Sequence, residues 1–546
     1  MTLAIWQQIS PYFDEFKDNF ARFNELPHRS FEQCQTRLSS SLARFVEKAG
    51  YNRVHIINSP DNSIYRRFIK EQLSSLTTKP VISSETLARQ TLFSQIKASD
   101  GQLAVEVPGL LDKADGGFLI LSPNWLISNP QDWPRLKAAL LGEPISPLNC
   151  DSKEPLLHLP DKQYDVKLLI VGDREQLAML EYIDADLQTG IATFSEVEQE
   201  FLISEQSIDH YLGYIQWLTH YFALPPLNCD ALPVLLNAGT RSTEDHLYVP
   251  QCVMWLNSLL QDGALESKGN EITKDHLQAA LDKRYFEASY LPERAISDIF
   301  DGHVVIETQG KKVGQVNGLT VIDVAGHPYA YGEPARISCV IHFGDGDISD
   351  VERKVELGGN LHAKGMMIMQ AFVSAALNLD EPLPYSASIV FEQSYSEVDG
   401  DSASLAEVIS FISALSNVSV DQQIALTGAV DQFGSVQAVG GLNEKVEGFF
   451  KVCKHQGLTG QQGVILPKSN LRNLTLNAEV VSAVKAGEFH VWPVETVDEA
   501  VPIIMGMPFS GEESIIEAIA QRIDELDADN RPLTLIQRLV TWLTRN

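Results

Sequence analysis

Val398-Asp399-Gly400-Asp401-Ser402-Ala403-Ser404-Leu405 opens one helical pattern, Ser402 to Ser416. Gly440-Gly441-Leu442-Asn443-Glu444-Lys445 opens a second, about Asn443 to His455. A strand-end segment, Ile424-Ala425-Leu426-Thr427-Gly428, lies between them. The first pattern places the Ser402 hydroxyl and the first backbone N–H groups, Ala403 among them, at a helix N-terminus. Donors and the positive end of the helix dipole there suit a tetrahedral oxyanion. Asp401 is the expected N-cap. Taken alone, Gly-Asp-Ser is an ordinary capping turn. The second segment changes that reading, because Lys445 falls in a first helical turn, where the dipole disfavours a cation. Burial would lower its pKa further, as a general base requires. A serine needs such a base before it attacks a carbonyl, and serine–lysine pairs are one variant of the nucleophile–base arrangement.

Outward from these two segments, the chain from about 306 to 507 reads as an α+β unit. Short strands with glycine punctuation run through Gly314 to Leu319 and Arg336 to Phe343. An apolar helix is expected from His362 to Leu379, with Met366, Met367 and Met369 as core filler. A strand, Ser386 to Phe391, leads into the serine loop.

Phe391-Glu392-Gln393-Ser394-Tyr395 through Glu444-Lys445-Val446-Glu447-Gly448-Phe449-Phe450 resembles the catalytic region of the Lon proteases, in particular their B-type and B-like members. A-type Lon enzymes place proline before the serine and glycine two residues after it, whereas this chain has Asp401 and Ser404, the B-type pattern. The resemblance implies a Ser402–Lys445 dyad, with Thr427 matching the family threonine whose hydroxyl helps orient the lysine. It implies only minor roles, in access or lysine charge, for Asp399 and Glu392. It also implies polypeptide substrates and a homo-oligomer, with a hexameric ring expected.

Residues 1–49 look helical, with Phe13, Phe16, Phe20 and Phe23 at spacings of three and four and a second run from Arg37 to Lys48 ahead of Gly50. Strands are expected at Val54 to Ile57, Gly117 to Leu121 and Val166 to Val171, alternating with helical patterns as in a doubly wound parallel sheet. Residues from about 205 to 300 carry only helical patterns, and Thr273 is expected to cap the last of them. This order of elements resembles the AAA+ module of B-type Lon proteases. The expected organisation is an N-terminal helical segment (1–45), a degenerate AAA+-like α/β core (46–204), a helical lid (205–305), a Lon proteolytic domain (306–507) and a C-terminal helical extension (508–546).

The family's phosphate-binding loop would fall at Ile57-Asn58-Ser59-Pro60-Asp61-Asn62-Ser63-Ile64-Tyr65, which contains no glycine and no lysine. Close backbone approach to phosphate needs the glycines, and the β/γ-phosphates need the lysine. Ser122 and Pro123 stand where the family's magnesium-organising and water-activating carboxylates belong. Asp173 replaces its polar sensor asparagine. No nucleotide-binding residue and no cofactor is therefore expected.

The formal net charge of −30 argues against nucleic acid as a general partner, since phosphate is repelled by such a surface. Six scattered cysteines without a CxxC pair or Cys/His cluster support neither a disulfide framework nor a metal site. No signal-like amino terminus and no run of 18 apolar residues is present, so a cytoplasmic location is expected. At the C-terminus, Glu512 to Leu526 reads as an acidic amphipathic helix. Leu533 to Leu543, between Arg531 and Arg545, reads as a basic one. Packing on its own or a neighbouring subunit is favoured for the basic helix over membrane-surface attachment.

The sequence thus supports a serine endopeptidase working without ATP hydrolysis. An ATP-dependent Lon-type peptidase and a non-catalytic oligomeric scaffold are the competing readings.

Overall fold

The computed structural model describes residues 4–85, 91–99, 102–149, 160–344, 348–354, 357–377, 385–393 and 399–530. The basic helix expected at Leu533 to Leu543 lies outside these residues. Among the described residues, no helix is long and apolar enough to cross a membrane.

The helical run expected at the start is broken into short pieces. These are Ile5–Gln8, Lys17–Ala21, Phe31–Cys34 and the longer Thr36–Glu47, joined by 3₁₀ turns. The phenylalanine spacing reports burial correctly: Phe13, Phe16, Phe20 and Phe23 are all buried. They reach the core through turns and not along one continuous helix. They join a large apolar cluster with the helices of the 208–300 region.

Five parallel strands follow, in the spatial order Val81–Ser83, Phe118–Leu121, Lys167–Gly172, Val54–Asn58 and Ala192–Glu196. The central strands Phe118–Leu121 and Lys167–Gly172 are buried at every position, as expected of a parallel sheet covered on both faces. A separate three-stranded sheet, Gln102–Val107, Gln95–Ser99 and Leu148–Asn149, has no counterpart in the sequence reading. Its strands are short and half exposed, so they lack an uninterrupted apolar run. The next region is built of Ile208–Tyr221, Leu232–Thr243, Val253–Glu266, Lys274–Ala288 and Tyr290–Phe300. Thr273 stands at the N-cap of the fourth of these helices. One short strand, Tyr248–Pro250, interrupts the expected all-helical stretch by pairing with Glu200–Leu202.

The remainder is organised by a seven-stranded mixed sheet. Its order is Ile348–Asp350, Tyr385–Glu392, Tyr331–Phe343, Gln315–Ile322, Ile424–Leu426, Gly463–Pro467 and His490–Val494. Tyr331–Phe343 runs antiparallel to both neighbours, and the other pairs are parallel. Two helices dominate its faces. The serine-side helix, Ser404–Ser416, is buried at every position but Ala414. Its polar residues, Ser404, Glu407, Ser410, Ser413 and Ser416, are buried together with the apolar ones, so the helix is covered on all sides. The Asn360–Leu377 helix and the helix beginning at Ile515 supply part of that cover. The lysine helix, Leu442–Gln456, packs on Tyr331–Phe343 from the opposite cluster. That packing is close: a Cβ on Gly448 would sit 2.0 Å from the Gly332 carbonyl oxygen, so neither glycine accepts a side chain.

Candidate active site

The serine-side helix begins two residues later than the sequence suggests. Ser402 and Ala403 form a turn, and the helix proper starts at Ser404. Asp401 is not its side-chain cap. Its backbone carbonyl accepts from the Ser404 N–H at 3.1 Å, closing the turn. Capping comes from across the chain, where the Gly428 carbonyl accepts from the Leu405 N–H at 3.1 Å; the Ser404 hydroxyl is engaged separately, accepting from the Val430 N–H at 2.8 Å. Tertiary contacts have replaced a local cap, which a propensity argument cannot foresee.

Those contacts also fix the serine. The Ser402 carbonyl accepts from the Gly428 N–H at 2.9 Å and from the Thr427 hydroxyl at 3.2 Å. Its backbone is thereby anchored while its side chain remains partly accessible. Among the described residues, no acceptor takes the N–H of Ser402 or Ala403.

Lys445 reaches the same point from the other helix. Gly441 precedes that helix with φ +64°, a left-handed conformation that favours glycine, and its carbonyl accepts from the Lys445 N–H at 3.0 Å. The Lys445 ammonium lies 2.9 Å from the Ser402 hydroxyl and 3.4 Å from the Thr427 hydroxyl, donating to both. Lys445 is 2% exposed, and burial lowers its pKa from 10.5 to about 8 against a weaker opposing pull from Asp401. The two nearest acidic residues on its helix are tied elsewhere. Arg241, on Leu232–Thr243, donates to Glu444 at 2.7 Å and to Glu447 at 2.6 Å. Sequence reasoning missed Arg241, because an arginine about two hundred residues upstream carries no local signal of where it docks.

The structure therefore brings Ser402, Lys445 and Thr427 together, with Ala403 in the turn and Asp401 acting on the lysine through its charge. Asp399 turns away to accept from the Leu361 N–H at 3.2 Å and the Gly400 N–H at 3.0 Å. Glu392 accepts from the Ser338 hydroxyl at 2.7 Å.

In the first sheet, the segment after Val54–Asn58 forms a tight turn, and Asn62 caps the helix Ser63–Leu76 by accepting from the Ile64 and Tyr65 N–H groups. The Asp61 carboxylate accepts from the Gln176 amide at 2.6 Å, the Asn124 amide at 2.8 Å, the Ser122 hydroxyl at 3.3 Å and the Arg66 guanidinium. Burial works to raise its pKa, but these bonds prevail and hold it below the usual carboxylate range. Asp61 is thus a bonded charge within the fold. It pairs with Arg66, which it shares with Glu85, and knits three strand ends together. Asp173 caps its own helix, accepting from the Gln176 N–H at 2.9 Å.

Residues 392–506 match the family model for the Lon protease (S16) C-terminal proteolytic domain, and residues 77–195 match that for the LonB-like AAA domain. A protein of Escherichia coli (strain K12) named "Putative Lon protease homolog" is 35% identical over the full length of both chains. One of the same name from Haemophilus influenzae is 39% identical over 77% of this chain and 71% of its own. The archaeal Lon protease of Thermococcus kodakarensis is 31% identical over 37% of this chain and 29% of its own. With a relative this similar along its entire length, and with both Lon modules matched in order, the chain belongs to the Lon protease family.

Proposed function

We propose that the protein is a serine endopeptidase in which Ser402 is the nucleophile and Lys445 the general base, and that it works without hydrolysing ATP. The observation that carries this reading is the 2.9 Å approach of a buried, pKa-lowered lysine to a partly accessible serine hydroxyl. In the neutral form, the Lys445 amine takes the serine proton as Oγ bonds to the scissile carbonyl carbon. The N–H groups of Ser402 and Ala403 would receive the oxyanion. The ammonium then returns the proton to the departing amine as the C–N bond breaks, leaving an acyl-serine. Water attacks that ester with Lys445 again as base, which releases the acid and restores the hydroxyl. Thr427, fully buried, holds the Ser402 carbonyl and the lysine in one register.

Independence from ATP rests on the Asp61 hub. Triphosphate capture uses glycine-freed N–H groups, a lysine and a magnesium-binding carboxylate. Here the ends of the sheet strands are occupied by the chain's own carboxylate and its donors. Calorimetric titration with ATP and magnesium is expected to show no saturable heat, and thermal unfolding should not shift. A low-micromolar dissociation constant, or ATP-stimulated cleavage of casein, would overturn this part of the proposal. Without a motor to pull structure apart, the substrates would be unfolded chains and short peptides.

Assembly follows from family membership as a further part of the proposal. We expect a hexamer by light scattering at micromolar concentration, with a monomer as the contrary result. Cleavage of casein or a fluorogenic peptide by the wild type would also exclude the reading of a non-catalytic scaffold.

A further inference from the structure

Behind the serine-side helix lies a group of four ionisable side chains that the peptidase chemistry does not use. Asp350 ends the edge strand, Glu352 lies on the short helix Val351–Lys354, His362 is near the start of Asn360–Leu377, and Glu407 is in the first turn of Ser404–Ser416. They are 8%, 4%, 2% and 1% exposed. Ligand atoms of Asp350, Glu352 and His362 all lie within 4.8 Å of one another.

Each ligand carboxylate has one oxygen engaged by the backbone. Asp350 Oδ1 accepts from the Arg353 N–H at 3.5 Å, and Glu352 Oε1 accepts from the Phe391 N–H at 2.9 Å. The other oxygens, Asp350 Oδ2 and Glu352 Oε2, have no hydrogen-bond partner among the described residues, and neither has His362 Nε2. His362 Nε2 stands 3.1 Å from Asp350 Oδ2 without the alignment of a hydrogen bond. Two donors bound at about 2.0–2.2 Å to one tetrahedral cation would stand roughly 3.3 Å apart. On its other side, His362 Nδ1 faces Glu407 Oε1 at 3.5 Å.

The charge is as telling as the geometry. The groups that act on Glu407 are His362, Asp350 and Glu352, so three carboxylates face one imidazole in a space closed to water. Fully ionised, that group would hold buried charge without a counter-charge, which is strongly disfavoured unless a cation or protons balance it.

We propose that Asp350, Glu352 and His362 bind one divalent cation of the zinc or manganese class, with Glu407 accepting the second imidazole N–H. A mixed carboxylate and imidazole set suits these ions, and a carboxylate behind the histidine is the usual means of orienting it. The ion would pin the edge strand and the Asn360–Leu377 helix to the serine-side helix, a structural role separate from the Ser402–Lys445 chemistry.

The test uses full-length, untagged protein. After dialysis against metal-free buffer, plasma mass spectrometry is expected to find close to one equivalent of zinc or manganese per chain, with Ser402→Ala retaining it in full. Asp350→Asn and His362→Gln should lose at least nine-tenths of it, and Glu407→Gln should bind 10–100-fold more weakly. Because these variants risk misfolding, the chelated wild type provides the second readout: ZnCl₂ or MnCl₂ alone should give saturable heat near one equivalent and raise the melting temperature. A metal-free wild type that answers neither salt with heat or stabilisation would overturn the proposal, leaving a proton-sharing network. Folded Asp350→Asn and His362→Gln that bind as tightly as wild type would overturn it as well.

Discussion

Ser402→Ala is expected to abolish peptide hydrolysis and to leave the fold almost untouched. The hydroxyl receives one hydrogen bond, from Lys445, and it is the backbone of Ser402 that is clamped, by Thr427 and Gly428. Removing a single partly accessible oxygen should move the unfolding free energy by less than about 1 kcal/mol. Loss of the nucleophile removes the covalent route altogether. The measurement is cleavage of a fluorogenic peptide beside thermal unfolding and light scattering of the same preparations. Equal rates in wild type and variant would remove Ser402 from the mechanism. A lost rate accompanied by a collapsed melting temperature would mean that the residue is structural.

The second large effect belongs to Lys445. Only the neutral amine accepts the serine proton, so activity should rise with pH through about 8, the value that burial sets. Lys445→Arg should be as inactive as Lys445→Ala, because a guanidinium keeps its proton throughout this range. An active arginine variant would exclude general-base catalysis by this residue. Stability carries the same information with a defined sign. The folded pKa is lowered from 10.5 to about 8, so between those values the folded chain binds fewer protons than the unfolded one. This group's contribution to stability therefore grows as pH rises through that window. Below it, the buried ammonium costs on the order of 3 kcal/mol. Lys445→Met, similar in length and uncharged, should be inactive yet more stable than wild type at pH 7, with the difference shrinking towards pH 10. A destabilised methionine variant would show that the ammonium contributes more through its hydrogen bonds than its burial costs.

What the sequence disclosed about this site was its two ends. Gly400 to Ser404 and Gly440 to Lys445 carry local signals: helix starts, glycines, and a lysine where the dipole disfavours one. The strand Phe118–Leu121 was equally plain, because a fully buried strand reads as an unbroken apolar run. The Asp401 cap failed because the Gly428 carbonyl, from another strand end, accepts from the Leu405 N–H as a local cap would have done. The three-stranded sheet around Gln95–Ser99 was illegible because half-exposed strands lack that run. Arg241 and the Asp350, Glu352, His362 and Glu407 group were invisible for a different reason. Each member looks like an ordinary surface charge until the fold withdraws it from water.

The grip of Arg241 on Glu444 and Glu447 ties the helical region of the chain to the Lon proteolytic domain. Arg472 to Asp245 at 2.6 Å and Asn473 to the Glu244 carbonyl at 2.7 Å extend the same seam. Severing the chain there would release two carboxylates on the helix that bears Lys445, one of them its immediate neighbour. Freed from the guanidinium, those two carboxylates would repel one another across one helical turn and loosen the start of the helix that carries Lys445. The helical region would then serve its neighbour as a clamp, holding steady the turn from which Lys445 reaches Ser402.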